Sequence, residues 1–168
     1  MWFGLSFVER VAERDFRALM TDKVDADTRS RIMSRIRSKD TTPEMVVREG
    51  LFARGFRYRL HRHDLPGRPD LIFPRYRAVI MVHGCFWHGH GCKLAHKPLS
   101  NTDYWDSKIE RNRRNGARAR IELENIGWRV MVIWECEVRK RNEEEIAARL
   151  DGVSAWIREG AAIFKAGS

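Results

Sequence analysis

Residues 76–92 read Tyr-Arg-Ala-Val-Ile-Met-Val-His-Gly-Cys-Phe-Trp-His-Gly-His-Gly-Cys. The first part, 76–82, is nearly all apolar, as expected of a strand that is buried on both faces of a sheet. The second part, 83–92, carries three histidines and two cysteines. The stretch therefore predicts a central strand that leads directly into a metal-binding loop.

The third cysteine of the chain, Cys136, follows another apolar run. A disulfide framework would leave one of three thiols over. A zinc site of three thiolates and one imidazole would use Cys136 together with Cys85 and Cys92. The spacing leaves open whether His88 or His90 is the fourth ligand. Such a closed site would be structural; the alternative is three buried free thiols beside surface histidines.

Positive charge is the second clear feature of the chain. Its 168 residues carry a formal net charge of +9, and arginines are concentrated at 29–37 and 111–120. This excess favours a polyanionic partner, most simply nucleic acid, over a basic surface that is only well solvated. The length suits one domain with a core of its own.

No apolar segment of the sequence is long enough to span a membrane. Residues 1–8 are apolar, but no basic region precedes them and no small-residue cleavage site follows, so a signal peptide is not expected. Cysteines placed as metal ligands fit a reducing compartment. We therefore expect a cytoplasmic protein.

The order of predicted elements is typical of an α/β protein with a mixed sheet. A threonine, a proline and an acid at 40–44 predict a helix start, and Gly55 predicts its end. Upstream of this helix we expect an arm at 1–26 and a basic helix at 28–37. The further predicted elements are a strand at 56–61, a hairpin of strands at 70–73 and 76–82, a helix at 104–126, a strand at 128–134 and a helix at 142–158.

Asp70 is the carboxylate that most suggests chemistry, since it follows a rigid Pro-Gly-Arg-Pro turn at 66–69. Magnesium sites in nucleases need one or two carboxylates, and Asp70 could be one of them. The alternative is an acid that begins a strand and pairs with Arg68. His83 would lie at the same end of the sheet, and His88 could act as a general base if it is not a zinc ligand.

Two large aromatic side chains, Phe86 and Trp87, lie within the Cys/His loop. Apolar residues on a loop usually fold back into the core, but a basic protein that distorts DNA can push them between base steps. Trp105 would join them at the start of the long helix. Both interpretations stay open from the residues themselves.

Five motifs in order resemble the very-short-patch repair (Vsr) endonucleases, over residues 27–139. They are Asp40-Thr-Thr-Pro-Glu44, Leu65-Pro-Gly-Arg-Pro-Asp70, His83-Gly-Cys-Phe-Trp-His88, Tyr104-Trp105 and the pair Gly127-Trp-Arg-Val with Trp134-Glu-Cys136. The resemblance implies an α/β, restriction-endonuclease-like core with a central mixed β-sheet flanked by helices, plus a structural zinc site. It also implies one endonuclease domain at 27–158, an arm at 1–26 and a tail at 159–168.

The resemblance implies a DNA repair reaction as well. The enzyme would nick double-stranded DNA on the 5′ side of the thymine in a T:G mismatch, the product of 5-methylcytosine deamination, by Mg²⁺-dependent hydrolysis. It would act as a monomer and pass the nick to downstream mismatch-repair proteins. Asp70 and the carbonyl of Val82 would bind Mg²⁺. His88 would be the general base, His83 would contact the phosphate and Glu44 would hold water at the site.

Other roles implied by the resemblance concern zinc and DNA. The structural zinc ligands would be Cys85, His90, Cys92 and Cys136. An aromatic wedge in the major groove would comprise Phe86, Trp87 and Trp105. Met33 would approach from the minor groove, and Lys108 would contact DNA.

The sequence departs from the family pattern at two positions that bear on catalysis. Val82 stands where a threonine is familiar, which matters little if its carbonyl is the ligand. The family often has an acid in the long helix to orient the catalytic histidine, but 111–120 contains none. This difference keeps open the alternative of a zinc-braced module that binds distorted DNA without cleavage. A site-specific endonuclease on matched DNA is a second alternative.

Overall fold

The computed structural model describes residues 39–99 and 101–165. The predicted arm at 1–26, the basic helix at 28–37 and Met33 lie outside the described residues. In chain order the elements are α1 (Thr42–Ala53), β1 (Arg59–Leu60), β2 (Leu71–Phe73), a 3-10 turn (Pro74–Tyr76), β3 (Ala78–His83), α2 (Thr102–Asn125), β4 (Arg129–Trp134), α3 (Glu135–Val138) and α4 (Glu143–Lys165).

The strands form one four-stranded sheet in the order β1-β2-β3-β4. β1 pairs with β2 and β2 with β3 in antiparallel fashion. β3 pairs with β4 in parallel, from Ala78 opposite Arg129 to His83 opposite Trp134. The connection between these parallel strands passes through α2, as parallel pairing requires. The predicted mixed sheet is confirmed.

Helices cover both faces of the sheet. Alternate side chains of a strand point in opposite directions, so successive residues of one strand pack against helices on opposite faces. In β3, Ala78 and Ile80 belong to one buried cluster, together with Val47 of α1 and Val153 of α4. Val79 lies in a second cluster on the other face, which also contains Leu123 of α2. This double burial explains why the strand is apolar at successive positions.

The start of α1 lies where the sequence predicts it, but the cap differs. Thr41 is the N-cap residue, yet its side chain makes no capping hydrogen bond. Instead the carboxylate of Glu44 turns back and accepts the backbone N–H of Asp40 at 2.9 Å. Glu44 is thereby held at the N-terminal end of the helix, a position that favours negative charge.

The predicted strand at 56–61 is wrong in length, since β1 comprises Arg59 and Leu60. At its start, the N–H of Phe56 donates to the carbonyl of Leu51 and so closes the end of α1. At its end, His61 has a φ of 43°, which ends the extended conformation. The final helix extends past the predicted end at 158.

The turn before β2 packs closely against α2. Gly67 has a φ of 69°, and a Cβ at this position would lie 2.5 Å from the Cβ of Ala119. Only glycine fits both the backbone conformation and the space. The turn therefore fixes where Asp70 enters the sheet. None of the helices among residues 39–99 and 101–165 has the length and apolar character needed to cross a membrane.

Candidate active site and metal centre

One edge of the sheet collects most of the residues that the sequence suggests for chemistry. β3 and β4 are parallel, so their carboxyl ends, and the residues that follow them, meet at this edge. β2 is antiparallel to β3, so the start of β2, with Asp70 before it, lies at the same edge. The topology thus brings Asp70 beside Val82 and His83, with Cys136 following β4.

Asp70 is fixed by the neighbouring strand. Its Oδ2 accepts the backbone N–H of Val82 at 2.6 Å, while its Oδ1 lies 3.9 Å from Nδ1 of His61. Burial raises the pKa of Asp70 to about 6, and the negative charge of Glu44 adds to this rise. Arg68 forms no ion pair with Asp70 in the described part of the chain; the imidazole of His61 is the group that lies near the free oxygen of Asp70. A half-buried carboxylate with a second carboxylate nearby is a setting that favours a cation.

Glu44 is a buried carboxylate with 2% of its surface exposed. Besides the Asp40 N–H, it accepts a hydrogen bond from Nη1 of Arg48 at 3.2 Å, and Arg48 also contacts the Asp40 carboxylate. Nε2 of His61 lies 3.2 Å from Glu44 Oε1. The imidazole of His61 therefore lies between the carboxylates of Glu44 and Asp70.

His61 and Arg48 both contact Glu44, although the sequence did not point to either residue. His61 stood inside the predicted strand at 56–61, and its contacts are with residues far away in the chain. The one local signal is its left-handed backbone, with a φ of 43°, a conformation in which histidine is enriched. That conformation is not visible in a sequence of alternating residues.

His83 and His88 form a stacked pair beside Asp70's edge of the sheet. Their ring centroids are 3.7 Å apart and the ring planes are nearly parallel, with an angle of 2° between them. Burial lowers the pKa of His83 to about 3, with a further contribution from the charge of His88. Burial also lowers the pKa of His88. Both imidazoles are therefore neutral near pH 7, and His88 can accept a proton.

An open cleft of about 420 Å³ adjoins the histidine pair. The loop glycines Gly89 and Gly91 form part of its wall, and Arg113 and Arg120 of α2 bring positive charge to it. Gly116 of α2 also lines the cleft. Small residues on the wall leave room for a ligand, and the arginines favour an anionic one.

No carboxylate among the described residues contacts the His88 imidazole. In the part of the chain that the structure describes, its ring contacts are with His83 and with Trp134. Gly116 faces it across the cleft: a Cβ there would lie 3.9 Å from Nδ1 of His88. Within 111–120, which contains no acid, the residue beside the imidazole is thus a glycine.

Three cysteines and one histidine lie together beyond the ends of β3 and β4. The possible ligand atoms of Cys85, His90, Cys92 and Cys136 all lie within 4.8 Å of one another, and Nδ1 of His90 is 3.5 Å from the Cys136 sulfur. The ring of His90 stacks on Trp134 at 4.3 Å. The group that could hold a metal therefore contains His90, whereas His88 stacks on His83.

The thiols of this group differ in their surroundings. Burial raises the pKa of Cys85 and that of Cys136. For Cys92, burial also acts to raise the pKa, but the Leu94 N–H and hydrogen bonds within the cluster outweigh it and lower the pKa to about 7. Three thiols and one imidazole converging in this way form a donor set suited to a tetrahedral zinc ion.

Glu135 braces the loop from the start of α3, a role that sequence analysis did not predict. Its Oε2 accepts the backbone N–H of Cys85 at 3.1 Å, and its Oε1 contacts the Arg139 guanidinium. The adjacent position of Glu135 and Cys136 was the available signal. The Glu135 side chain thus ties the loop to α3, and Cys136 of the same helix lies beside the cysteines of the loop.

The aromatic residues pack as a cluster between the loop and α2. Phe86 and Trp105 are 4% and 2% exposed, respectively, and pack with Ile109, while Trp87 packs against them and is half-buried. Asn112 donates a hydrogen bond to the carbonyl of Trp87 at 3.0 Å. Lys108 lies over the Trp87 ring, with Nζ 5.5 Å from its centroid. Trp87 and Lys108 are therefore the more accessible members.

The sequence is similar to those of several known endonucleases. The family model described as DNA mismatch endonuclease Vsr matches residues 21–94. The "Type II nicking enzyme V.XorIIP" of Xanthomonas oryzae pv. oryzae is 51% identical over 119 residues, which cover 71% of this chain and 88% of that protein.

Two further relatives extend the similarity. The "Type II nicking enzyme V.NmeAIP" of Neisseria meningitidis serogroup A is 45% identical over 73% of this chain and 87% of that protein. The "DNA mismatch endonuclease Vsr" of Escherichia coli K12 is 39% identical over 138 residues, which cover 82% of this chain and 88% of that protein. The chain therefore belongs to the Vsr DNA mismatch endonuclease family.

Proposed function

We propose that this DNA endonuclease nicks double-stranded DNA on the 5′ side of the thymine in a T:G mismatch. The observation that carries the proposal is the convergence of Asp70, Val82, His83 and His88 at one edge of the sheet, beside a cleft that arginines line. The names of the relatives, nicking enzymes and a mismatch endonuclease, support it. The mixed sheet flanked by helices supports a restriction-endonuclease-like core.

The residues at Asp70 fit a divalent cation. Oδ2 of Asp70 is engaged by Val82, which leaves Oδ1 for a ligand, and the pKa of the carboxyl is raised by burial and by Glu44. Asp70 and the backbone carbonyl of Val82 would hold Mg²⁺. The cation would stabilise the negative charge that develops on the phosphate and promote ionisation of the attacking water.

The histidine pair supplies the proton acceptor in this proposal. His88 is neutral near pH 7 because burial lowers its pKa, so its imidazole can take a proton from water. The His83 ring stacks on the His88 ring and would fix its orientation. His83 would also contact the phosphate. Glu44 would hold water at the Asp70 end of the site.

We propose that the cysteine cluster holds zinc with a structural role. With four protein ligands the site would have no open position for a substrate. Its effect would be to fix the loop that carries His88, since Cys85 and His90 lie on either side of that residue. The mismatch would be recognised by the aromatic residues Phe86, Trp87 and Trp105, because a mismatched step costs less to unstack.

A nicking assay on end-labelled duplexes tests the proposal. One duplex carries a single T:G mismatch and its control is fully paired, each with Mg²⁺ or with EDTA. We expect one cut on the 5′ side of the thymine, in the mismatched duplex and with Mg²⁺. Asp70→Ala should abolish the cut while binding remains.

Each alternative gives a different result in the same assay. Equal cutting of both duplexes would point to a site-specific endonuclease on matched DNA. Binding of the mismatched duplex without any cut would point to a module that recognises distorted DNA. A cut that Asp70→Ala leaves at full rate would remove Asp70 from the proposed cation site.

A further inference from the structure

We propose that His61 is a positioning residue of the Asp70 site, which holds the carboxylates of Glu44 and Asp70 in the arrangement that a divalent cation needs. The proposal rests on the proposed function, because it assumes that Asp70 binds the cation. It adds a residue that stands outside the five sequence motifs and comes from the end of β1.

The imidazole of His61 stands between the two carboxylates. Its Nδ1 lies 3.9 Å from Oδ1 of Asp70, and its Nε2 lies 3.2 Å from Oε1 of Glu44. Oδ2 of Asp70 is taken by the Val82 N–H. His61 therefore faces the oxygen of Asp70 that remains for a ligand.

The contacts of His61 are incomplete in the structure. Nε2 is buried and has no hydrogen-bond partner among the described residues, although Glu44 is near, because the direction of approach is not that of a hydrogen bond. Unpaired buried polar groups are rare in folded proteins and need a reason. A ligand that turns the Glu44 or Asp70 carboxylate would give this nitrogen a partner.

The backbone conformation of His61 also supports a functional role for this residue. His61 has a φ of 43°, in a region that side chains other than glycine seldom adopt. Such conformations persist where the surroundings determine them and are concentrated at functional sites. Here the turn ends β1 after Leu60 and brings the imidazole to Glu44.

A competing site shares two of these residues. Asp40, Glu44 and His61 also lie close enough to bind a cation directly. However, the Arg48 guanidinium contacts both Asp40 and Glu44, so a cation there would meet a fixed positive charge. The Asp70 side has no such cation within the described contacts, which favours a positioning role for His61.

Manganese binding to the zinc-loaded, full-length protein tests the role without DNA. Free Mn²⁺ is measured by its electron paramagnetic resonance signal for the wild type, Asp70→Asn, Asp40→Asn, His61→Ala and His61→Gln. The matched control is His63→Ala, which changes an exposed histidine two residues away. We expect Asp70→Asn to lose the site and His61→Ala to bind about 10- to 100-fold more weakly.

The conservative variant decides whether the imidazole acts by hydrogen bonding. His61→Gln keeps a donor and an acceptor, so it should recover most of the Mn²⁺ affinity and most of the nicking rate at low Mg²⁺. His63→Ala should match the wild type. Saturating Mg²⁺ should restore more of the nicking rate in His61→Ala than in Asp70→Asn.

Several outcomes overturn the inference, and they are distinguishable from failure of the proposed function. Unchanged Mn²⁺ affinity in Asp70→Asn would sink the cation assignment itself. A loss in Asp70→Asn with none in His61→Ala would remove His61 alone. Equal weakness of His61→Gln and His61→Ala would show that hydrogen bonding is not its role. A loss in Asp40→Asn as large as that in Asp70→Asn would place the cation at the competing site.

Discussion

At the scale of single residues, the proposed cation site places at Asp70 a carboxylate whose charged form lowers the stability of the fold. Burial raises its pKa from 3.8 to about 6, so the folded protein holds this proton over a pH range in which the unfolded chain releases it. The stability contributed by the neutral carboxyl is present below about pH 4. It is lost as the pH rises through about 6.

Asp70→Asn should therefore stabilise the zinc-loaded protein in the absence of Mg²⁺ above pH 6. The amide can still accept the Val82 N–H but carries no charge to desolvate. We expect a gain in the free energy of unfolding of roughly 2–3 kcal/mol at pH 8 that disappears near pH 4. Urea unfolding of both proteins across this range measures it. Equal free energies of unfolding for the wild type and Asp70→Asn at pH 8 would show that burial does not destabilise the charged carboxylate.

Gly116 is a second residue whose surroundings predict a measurable effect. It lies in the middle of α2, and a Cβ there would be 3.6 Å from Cε1 of His83, an ordinary contact. Gly116→Ala should stabilise the helix by about 1 kcal/mol. Gly116→Asp adds a carboxylate near Nδ1 of His88 and should raise the pKa of that imidazole.

Two-dimensional NMR of the histidine rings distinguishes these variants. Gly116→Ala controls for the added carbon, so a rise in the pKa of His88 in the aspartate variant alone identifies the charge as the cause. The same pKa in both variants would mean that the carboxylate does not reach the imidazole. A lower melting temperature for Gly116→Ala would mean that the space beside the histidines is needed.

At the scale of elements, the cysteine cluster contains residues that follow the ends of both β3 and β4. Cys85 lies just beyond β3, and Cys136 lies in α3 directly after β4. Since parallel strands end at the same edge, the apolar runs at 76–82 and 128–134 were enough to predict that their loops would meet. The sequence left open whether His88 or His90 is the fourth ligand, because both lie in the same loop as Cys85 and Cys92.

Histidine variants on this loop form a matched pair for testing the zinc assignment. His90 belongs to the group that could hold a metal, whereas His88 stacks on His83. His90→Gln should lose bound zinc and destabilise the protein by at least about 3 kcal/mol. His88→Gln should retain one equivalent of zinc and a near-normal melting temperature, yet lose nicking.

Zinc content by atomic absorption and melting by circular dichroism give the two readouts. The same zinc content in both variants would contradict the assignment of His90 as the ligand. Cys136→Ser provides a check from α3, and it should behave as His90→Gln does. Retention of one zinc with normal melting in Cys136→Ser would sink the four-ligand site.

The elements show where reasoning from sequence ends. Hydrophobic pattern predicted β3, β4 and the long helix, because these elements bury apolar faces that recur at regular spacing. It failed for β1, where His61 turns into a left-handed conformation to meet groups on α1 and β2. Asp70 and His83 were predicted as site residues because each lies at the boundary of a strand, whereas the sequence around His61 carries no such signal.

At the scale of the whole molecule, positive charge is abundant, but only some of the basic side chains form ion pairs. The chain has a formal net charge of +9. On α2, Arg118 and Arg120 pair with acids one turn along the helix. Arg111 and Arg114 are exposed and form no ion pair within the described residues. These two side chains lie on the helix that lines the cleft, and they are available to contact DNA phosphates.

The salt dependence of DNA binding should therefore follow the position of charges rather than their sum. Arg111→Gln with Arg114→Gln should lower the slope of log affinity against log salt by about 2, since each phosphate contact contributes about 1. The matched control is Arg54→Gln with Arg149→Gln, which removes two charges that pair with Asp151 and Glu137 away from the cleft. Fluorescence anisotropy on a fully paired duplex between 50 and 200 mM salt, the range over which such contacts are resolved, gives both slopes. If the two double variants lower the slope equally, net charge governs binding and α2 has no special place in the DNA interface.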